Sequence, residues 1–170
     1  MTGWTPPAVP YEIHTGRELE FMLTRGKPLA HFSEIYPPEP DESIIPQRAF
    51  APHVANGTFE TCAFVRLHTG PPPERAPQMR GALHIFYALP RETWRIDAFI
   101  ALLNATERDG WSEDFERREG TLLGYTSAEN DAHIEHMVRA PDALRFPWLR
   151  RLLEQRQSTI GTSNQRLERP

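Results

Sequence analysis

The chain has 170 residues, of which 39% are hydrophobic, and carries 19 Lys or Arg against 23 Asp or Glu, a formal net charge of −4. That length suits one domain with one core, and the acidic balance argues against a broad nucleic-acid-binding surface. Cys62 is the only cysteine, which excludes an intramolecular disulfide and a paired-cysteine zinc site.

The first segment, Met1 to Pro7, lacks the basic and apolar regions of a secretory leader. No stretch reaches the ~20 apolar residues of a membrane span. A cytoplasmic protein without a membrane partner is therefore expected. Lys27 is the only lysine, all other cations being arginine, a bias of composition rather than a binding code.

The first helix is predicted over about Gly16–Arg25, with Thr15 and Glu18 as a capping box and Leu19, Met22 and Leu23 as its apolar stripe. Gly26 suits the left-handed position that ends it. A short strand is expected over Leu29–Ser33. From Glu34 to Thr58 five prolines argue against helix and sheet, so this stretch reads as a long loop anchored by Ile44, Ile45, Phe50 and Val54.

Phe59–His68 alternates with the period of a half-buried strand. Gly81–Leu89 is apolar on both sides, as a central strand would be, and the two are expected to pair antiparallel across a stiff Pro-rich connection. Ile96, Phe99, Ile100 and Leu103 give a full helical face, widened by Trp94, Ala98 and Leu102, so a helix is predicted over about Arg91–Glu107 and broken at Asp109-Gly110. Ser112 can cap the next helix, ending near Gly124. Thr126 and Glu129 form a capping box for another, running to about Arg139. Leu149, Leu152 and Leu153 suggest a short closing helix.

The expectation is therefore a single α+β domain over residues 1–156 and a polar, disordered tail over 157–170. Its architecture is a small antiparallel sheet of about three to four strands, packed on one face by four to five helices, most of them in the C-terminal half.

No phosphate loop, dinucleotide fingerprint, nucleophile elbow or His-Glu-x-x-His motif is present. Four weaker constellations remain. Glu129, His133 and His136 share one helical sector and are ligand types for a divalent transition metal, although Glu129 also serves its capping box. Cys62, Arg66 and His84 would line a ligand pocket if their strands present them to one face; the plainer reading is packing. Glu119 lies between Phe115 and Leu122 on the apolar side of its helix, with Glu116 three residues before. Desolvation there would raise its pKa toward general acid–base use, while an ion pair with Arg118 or Arg95 would make it structural. Finally, Arg145, Trp148, Arg150 and Arg151 suit an interface with an acidic partner, and the scarcity of interleaved aromatics makes nucleic acid an unlikely one.

Two functions are in view. The first is a non-catalytic module acting by protein–protein binding, of accessory, regulatory or immunity-like kind, with no cofactor. The second is a small metal-dependent or acid–base enzyme using His133, His136 and Glu119.

Overall fold

The computed structural model describes residues 9–38, 41–72, 74 and 77–138. Their elements are α1 (Glu18–Thr24), β1 (Leu29–Tyr36), α2 (Gln47–Ala55), β2 (Glu60–Leu67), β3 (Gly81–Ala88), α3 (Trp94–Asp109), α4 (Glu113–Leu122) and α5 (Ser127–His133), followed by a π-helical turn over Ile134–Val138. This is the expected α+β class, with three antiparallel strands and most helices in the C-terminal half. No helix among the described residues is long and apolar enough to cross a membrane. The predicted closing helix, the tail and the interface residues Arg145, Trp148, Arg150 and Arg151 lie outside the described residues.

The strand order is β1-β3-β2, so the most apolar strand lies in the centre, where both its faces are covered. Ala88 pairs with Leu29 and Glu60 at one end of the sheet, and Gly81 with Tyr36 and Leu67 at the other. On one face Phe86 and Ala88 meet Ile96, Phe99, Leu102 and Leu103 of α3 and Leu122 of α4. On the other, Ile85 and Tyr87 meet Ile45, Phe50 of α2 and Met22 of α1. The C-terminal helices thus form the expected layer, and the N-terminal half supplies a second cover.

That second cover corrects the reading of residues 34–58 as loop. Pro46 precedes α2 and Pro52 stands inside it. An interior proline costs about 3 kcal/mol, whereas burying Phe50 and Ile45, each at most 3% exposed, returns roughly 3–6 kcal/mol. Phe50 stacks on Tyr87 with ring centroids 4.0 Å apart. Tertiary burial outweighs the local preference.

Three local expectations also change. Gly16 adopts φ +82°, which turns the chain between Thr15 and the helix, so α1 has no side-chain cap. Its buried residues are Phe21 and Met22, while Leu23 is 47% exposed. In β2 the half-buried side is Cys62, Phe64 and Arg66, facing α3, and Thr61, Ala63, Val65 and Leu67 are exposed. The α-helical bonding expected to reach Arg139 gives way after His133 to the wider π-turn, and Arg139 itself lies outside the described residues.

Candidate functional site

Helices α4 and α5 form a tight hairpin, and its rigidity follows from small, local causes. Ser112 Oγ accepts from the Phe115 amide at 3.2 Å, and Thr126 and Glu129 close the predicted capping box. Gly120 has no side chain to hold off α5, so buried Asn130 lies directly against it and donates to Thr121 Oγ1 at 3.1 Å. The last carbonyls of α4, which no helical amide can reach, are met by two cations. Arg95 donates to Thr121 O at 2.8 Å and Leu122 O at 3.2 Å, and Lys27 donates to Leu123 O at 2.7 Å. Positive charge at a helix C-terminus also complements its dipole.

On this frame a polar chain runs across the surface. The Tyr11 hydroxyl lies 2.8 Å from His133 Nδ1, and His133 Nε2 lies 3.5 Å from Glu116 Oε2. Trp111 Nε1 donates to Glu116 Oε1 at 2.6 Å. Tyr11 meets Tyr125 edge to face, and Tyr125 stacks on His14 at 4.0 Å. His14 Nδ1 lies 3.0 Å from Lys27 Nζ. One connected set of groups therefore links Lys27 to Glu116.

The electrostatics of the set are uneven. Burial raises the Glu116 carboxyl, but bonds from His133 and Trp111 outweigh it and hold the group below its usual range. Glu119, one turn on, is pushed up to about 7, first by burial and then by the Glu116 carboxylate, with His133 opposing. Burial and the neighbouring Tyr125 push Tyr11 up to about 12. Burial brings Lys27 down to about 8, and burial with the nearby Lys27 charge brings His14 down to about 4. Two carboxyls one turn apart are thus driven in opposite directions, as acid–base sites require. Neither arginine considered for Glu119 pairs with it: Arg118 bridges to Asp114 at 3.0 Å and Arg95 to Glu92 at 2.6 Å.

A second polar group lies between the sheet and α3. His31 Nε2 and His84 Nδ1 are 2.9 Å apart, and the rings stack with Phe86 close to both. His84 is 4% exposed, and among the described residues its buried Nε2 has no hydrogen-bond partner. Burial, reinforced by the other imidazole, lowers His31 to about 3; burial and Arg66 lower His84 to about 4. Register places Cys62 opposite Phe86 and Phe64 opposite His84, with Arg66 opposite Ala82. Cys62, Arg66 and His84 therefore share one face. The partner of His84 is His31, while Cys62 packs against the α3 core with its Sγ 3.8 Å from Ala63 O.

The proposed metal ligands are engaged otherwise. Glu129 Oε2 accepts from the Thr126 amide and hydroxyl, both at 2.8 Å, and His136 Nδ1 lies 2.8 Å from Ala132 O. Among the described residues no three His, Cys, Asp or Glu side chains are grouped to hold a metal ion. His133 instead joins Tyr11, a residue 122 positions away that no periodicity in the sequence connects to it. The signal for Lys27 was visible as the single lysine between Gly26 and Pro28, but its destination was not. No family model, curated protein or solved structure matches the chain.

Proposed function

We propose that this protein is a small acid–base catalyst whose proton-transfer centre is Glu119 with Glu116, His133 and Tyr11. The observation that carries this reading is the connected chain Tyr11–His133–Glu116 beside a half-buried second carboxyl. With its proton on Nε2, the His133 imidazole donates toward Glu116 and accepts from Tyr11. Glu119, near half-protonated at neutral pH, gives a proton to the substrate or takes one from it, and the Glu116–His133 pair supplies or absorbs the charge change. The His133 and Glu116 side chains are 36% and 26% exposed, so a small molecule in solvent can reach them.

The test is a carboxyl-carbon NMR titration of the wild type and Glu116→Gln. The proposal expects Glu119 to titrate near 7 and to fall in the variant. Titration of Glu119 in the ordinary carboxylate range would remove the basis for catalysis here. Any turnover found in a screen of isomerase, lyase and hydrolase substrates should then be lost at least 100-fold in Glu119→Gln.

A second reading, protein–protein binding, is favoured by one feature. An open groove of about 530 Å³ lies between α3 and α4, with Ala98, Ala101 and Ala105 along one wall and Thr121 and Leu122 along the other. Small side chains at helical spacing admit a partner helix closely. Ala101→Trp fills the groove and should abolish partner capture by the folded protein; unchanged capture would rule the groove out.

A further inference from the structure

The outer edge of β2 is open. His68 N donates to Arg80 O at 2.9 Å, and Leu89 N donates to Pro28 O at 3.1 Å. By the alternation of an antiparallel ladder, the even-numbered residues of β2 then bond to β3. Thr61, Ala63, Val65 and Leu67 turn their backbone amides and carbonyls away from the sheet. All four are exposed, Val65 at 39% and Leu67 at 59%. The register to β3 runs from Glu60 to Leu67 without a bulge, and the strand contains no proline or lysine. Bulges, prolines and lysines keep natural edges from pairing, and this stretch has none of the three. β1, the other edge, differs. Its outward positions begin with Leu29, which is fully buried, and Pro28 and Pro37 stand at its two ends.

The sequence of β2 supplies its own complement. Its only charged residues are Glu60 and Arg66, both on the side that carries Cys62 and Phe64 toward α3. Arg66 is half-buried and donates to Leu103 O at 3.2 Å, while Glu60 is exposed. Among the described residues no ion pair engages either one. A charge within an edge strand opposes pairing unless the incoming strand brings its opposite. A second β2 laid antiparallel about a two-fold axis at Ala63 does so. It sets Ala63 opposite Ala63, Thr61 opposite Val65, Cys62 opposite Phe64 and Glu60 opposite Arg66. The odd-numbered pairs are then the bonded ones, as the outward backbone groups require. The Glu60–Arg66 pairs, formed twice by symmetry, fall in the non-bonded class, where side chains approach more closely. Exposed Val65 and Leu67 come to lie beside the partner's Thr61 and Phe59. Sliding the axis to Phe64 or Cys62 keeps the backbone bonding but sets Arg66 against Cys62 or Thr58, and the charge match is lost.

We propose that this protein self-associates through β2, two copies joining their sheets into one continuous antiparallel sheet about a two-fold axis at Ala63. A single strand pair is at the small end of protein interfaces, so the dimer forms as concentration rises. This edge is separate from the Glu119 centre and from the groove between α3 and α4, and the inference rests on neither.

The experiment is sedimentation of the full chain from about 5 µM to about 1 mM. Monomers should pass to dimers over this range without larger species, because the pairing closes on itself. Ala63→Pro removes the outward amide at the axis and leaves the ladder to β3 intact. It should abolish the dimer while keeping the circular dichroism spectrum, and Ala63→Lys should do the same without altering the backbone. Glu60→Arg sets like charges opposite each other and should weaken association at least tenfold, and adding Arg66→Glu should restore it. A monomer at about 1 mM would overturn the proposal, and so would a dimer that persists in folded Ala63→Pro and Ala63→Lys. A folded double charge variant that fails to recover would overturn the register.

Discussion

Lys27 Nζ donates to Leu123 O at 2.7 Å, so the only lysine in the chain closes the C-terminus of a helix nearly a hundred residues later. Lys27 is 5% exposed, and its ammonium lies 5.4 Å from the centroid of the Tyr125 ring. Replacing it by Met keeps the stem and removes the donor. Lys27→Met should lower stability by about 1–3 kcal/mol, the cost of leaving a buried acceptor unmet. Urea unfolding measures it, and an unchanged midpoint would mean that Leu123 O finds water instead.

The packing of α4 on α5 gives a prediction whose sign opposes intuition. Gly→Ala in a helix interior ordinarily stabilises by up to about 1 kcal/mol. At Gly120 the new methyl group would meet the Asn130 side-chain amide, forcing it off Thr121. Gly120→Ala should therefore destabilise by about 1–3 kcal/mol. Adding Asn130→Ala to the same chain should recover part of that loss, which a double-mutant cycle reads directly.

The two imidazoles under α3 predict acid lability. His31 and His84 have folded-state pKa values near 3 and 4, below the 6.5 of an unfolded histidine. Between those limits the unfolded chain binds more protons, so stability rises with pH. The contribution is complete above pH 6.5 and is lost as pH falls through 4. The urea midpoint of the wild type should drop across this window. A His31→Phe, His84→Phe double variant should show a distinctly flatter profile, and an identical drop in both would refute the assignment.

Glu119 acts in the opposite direction over an overlapping range. Its folded-state pKa, about 7, lies above the 4.5 of an unfolded glutamate. The folded chain therefore holds the extra proton between those values, and stability from this group declines as pH rises through 7. Glu119→Gln mimics the protonated form at every pH. It should leave the melting temperature unchanged at pH 5 and raise it at pH 8. A variant that is destabilised at both would show that the carboxylate has a bonding partner essential to the fold.

Much of the architecture was written in local periodicity. The apolar run Gly81–Leu89 announced a central strand, Ser112 and Thr126 announced two helix starts, and Asp109-Gly110 marked a helix end. What failed was whatever long-range burial decides. Pro52 argued correctly about local cost, but the fate of α2 rested on Phe50 stacking on Tyr87 at the sheet face. The candidate site divides the same way. Glu119 and Glu116 could be paired from one helix turn, and the apolar neighbours of Glu119 pointed to its desolvation. Tyr11, His14 and Lys27 could not be reached by that route, because their partners lie 96 to 122 residues away or arrive through such a partner.

The β1-β3-β2 order also sets a sequence of events during folding. Pairing of β2 with β3 closes a short loop, whereas β1 must return across α2 and β2 to find the far edge of β3, at greater entropic cost. The N-terminal segment that carries Tyr11 has farther still to travel before it meets His133. The groups of the proposed centre are thus among the last to be assembled: Glu116 and Glu119 share one helix, whereas Tyr11 meets His133 only across 122 residues. On the proposed reading, chemistry at this centre awaits that last contact, which the Tyr11–His133 pair would report. Substitutions at Ile85 should slow folding, while those at Tyr11 should mainly speed unfolding.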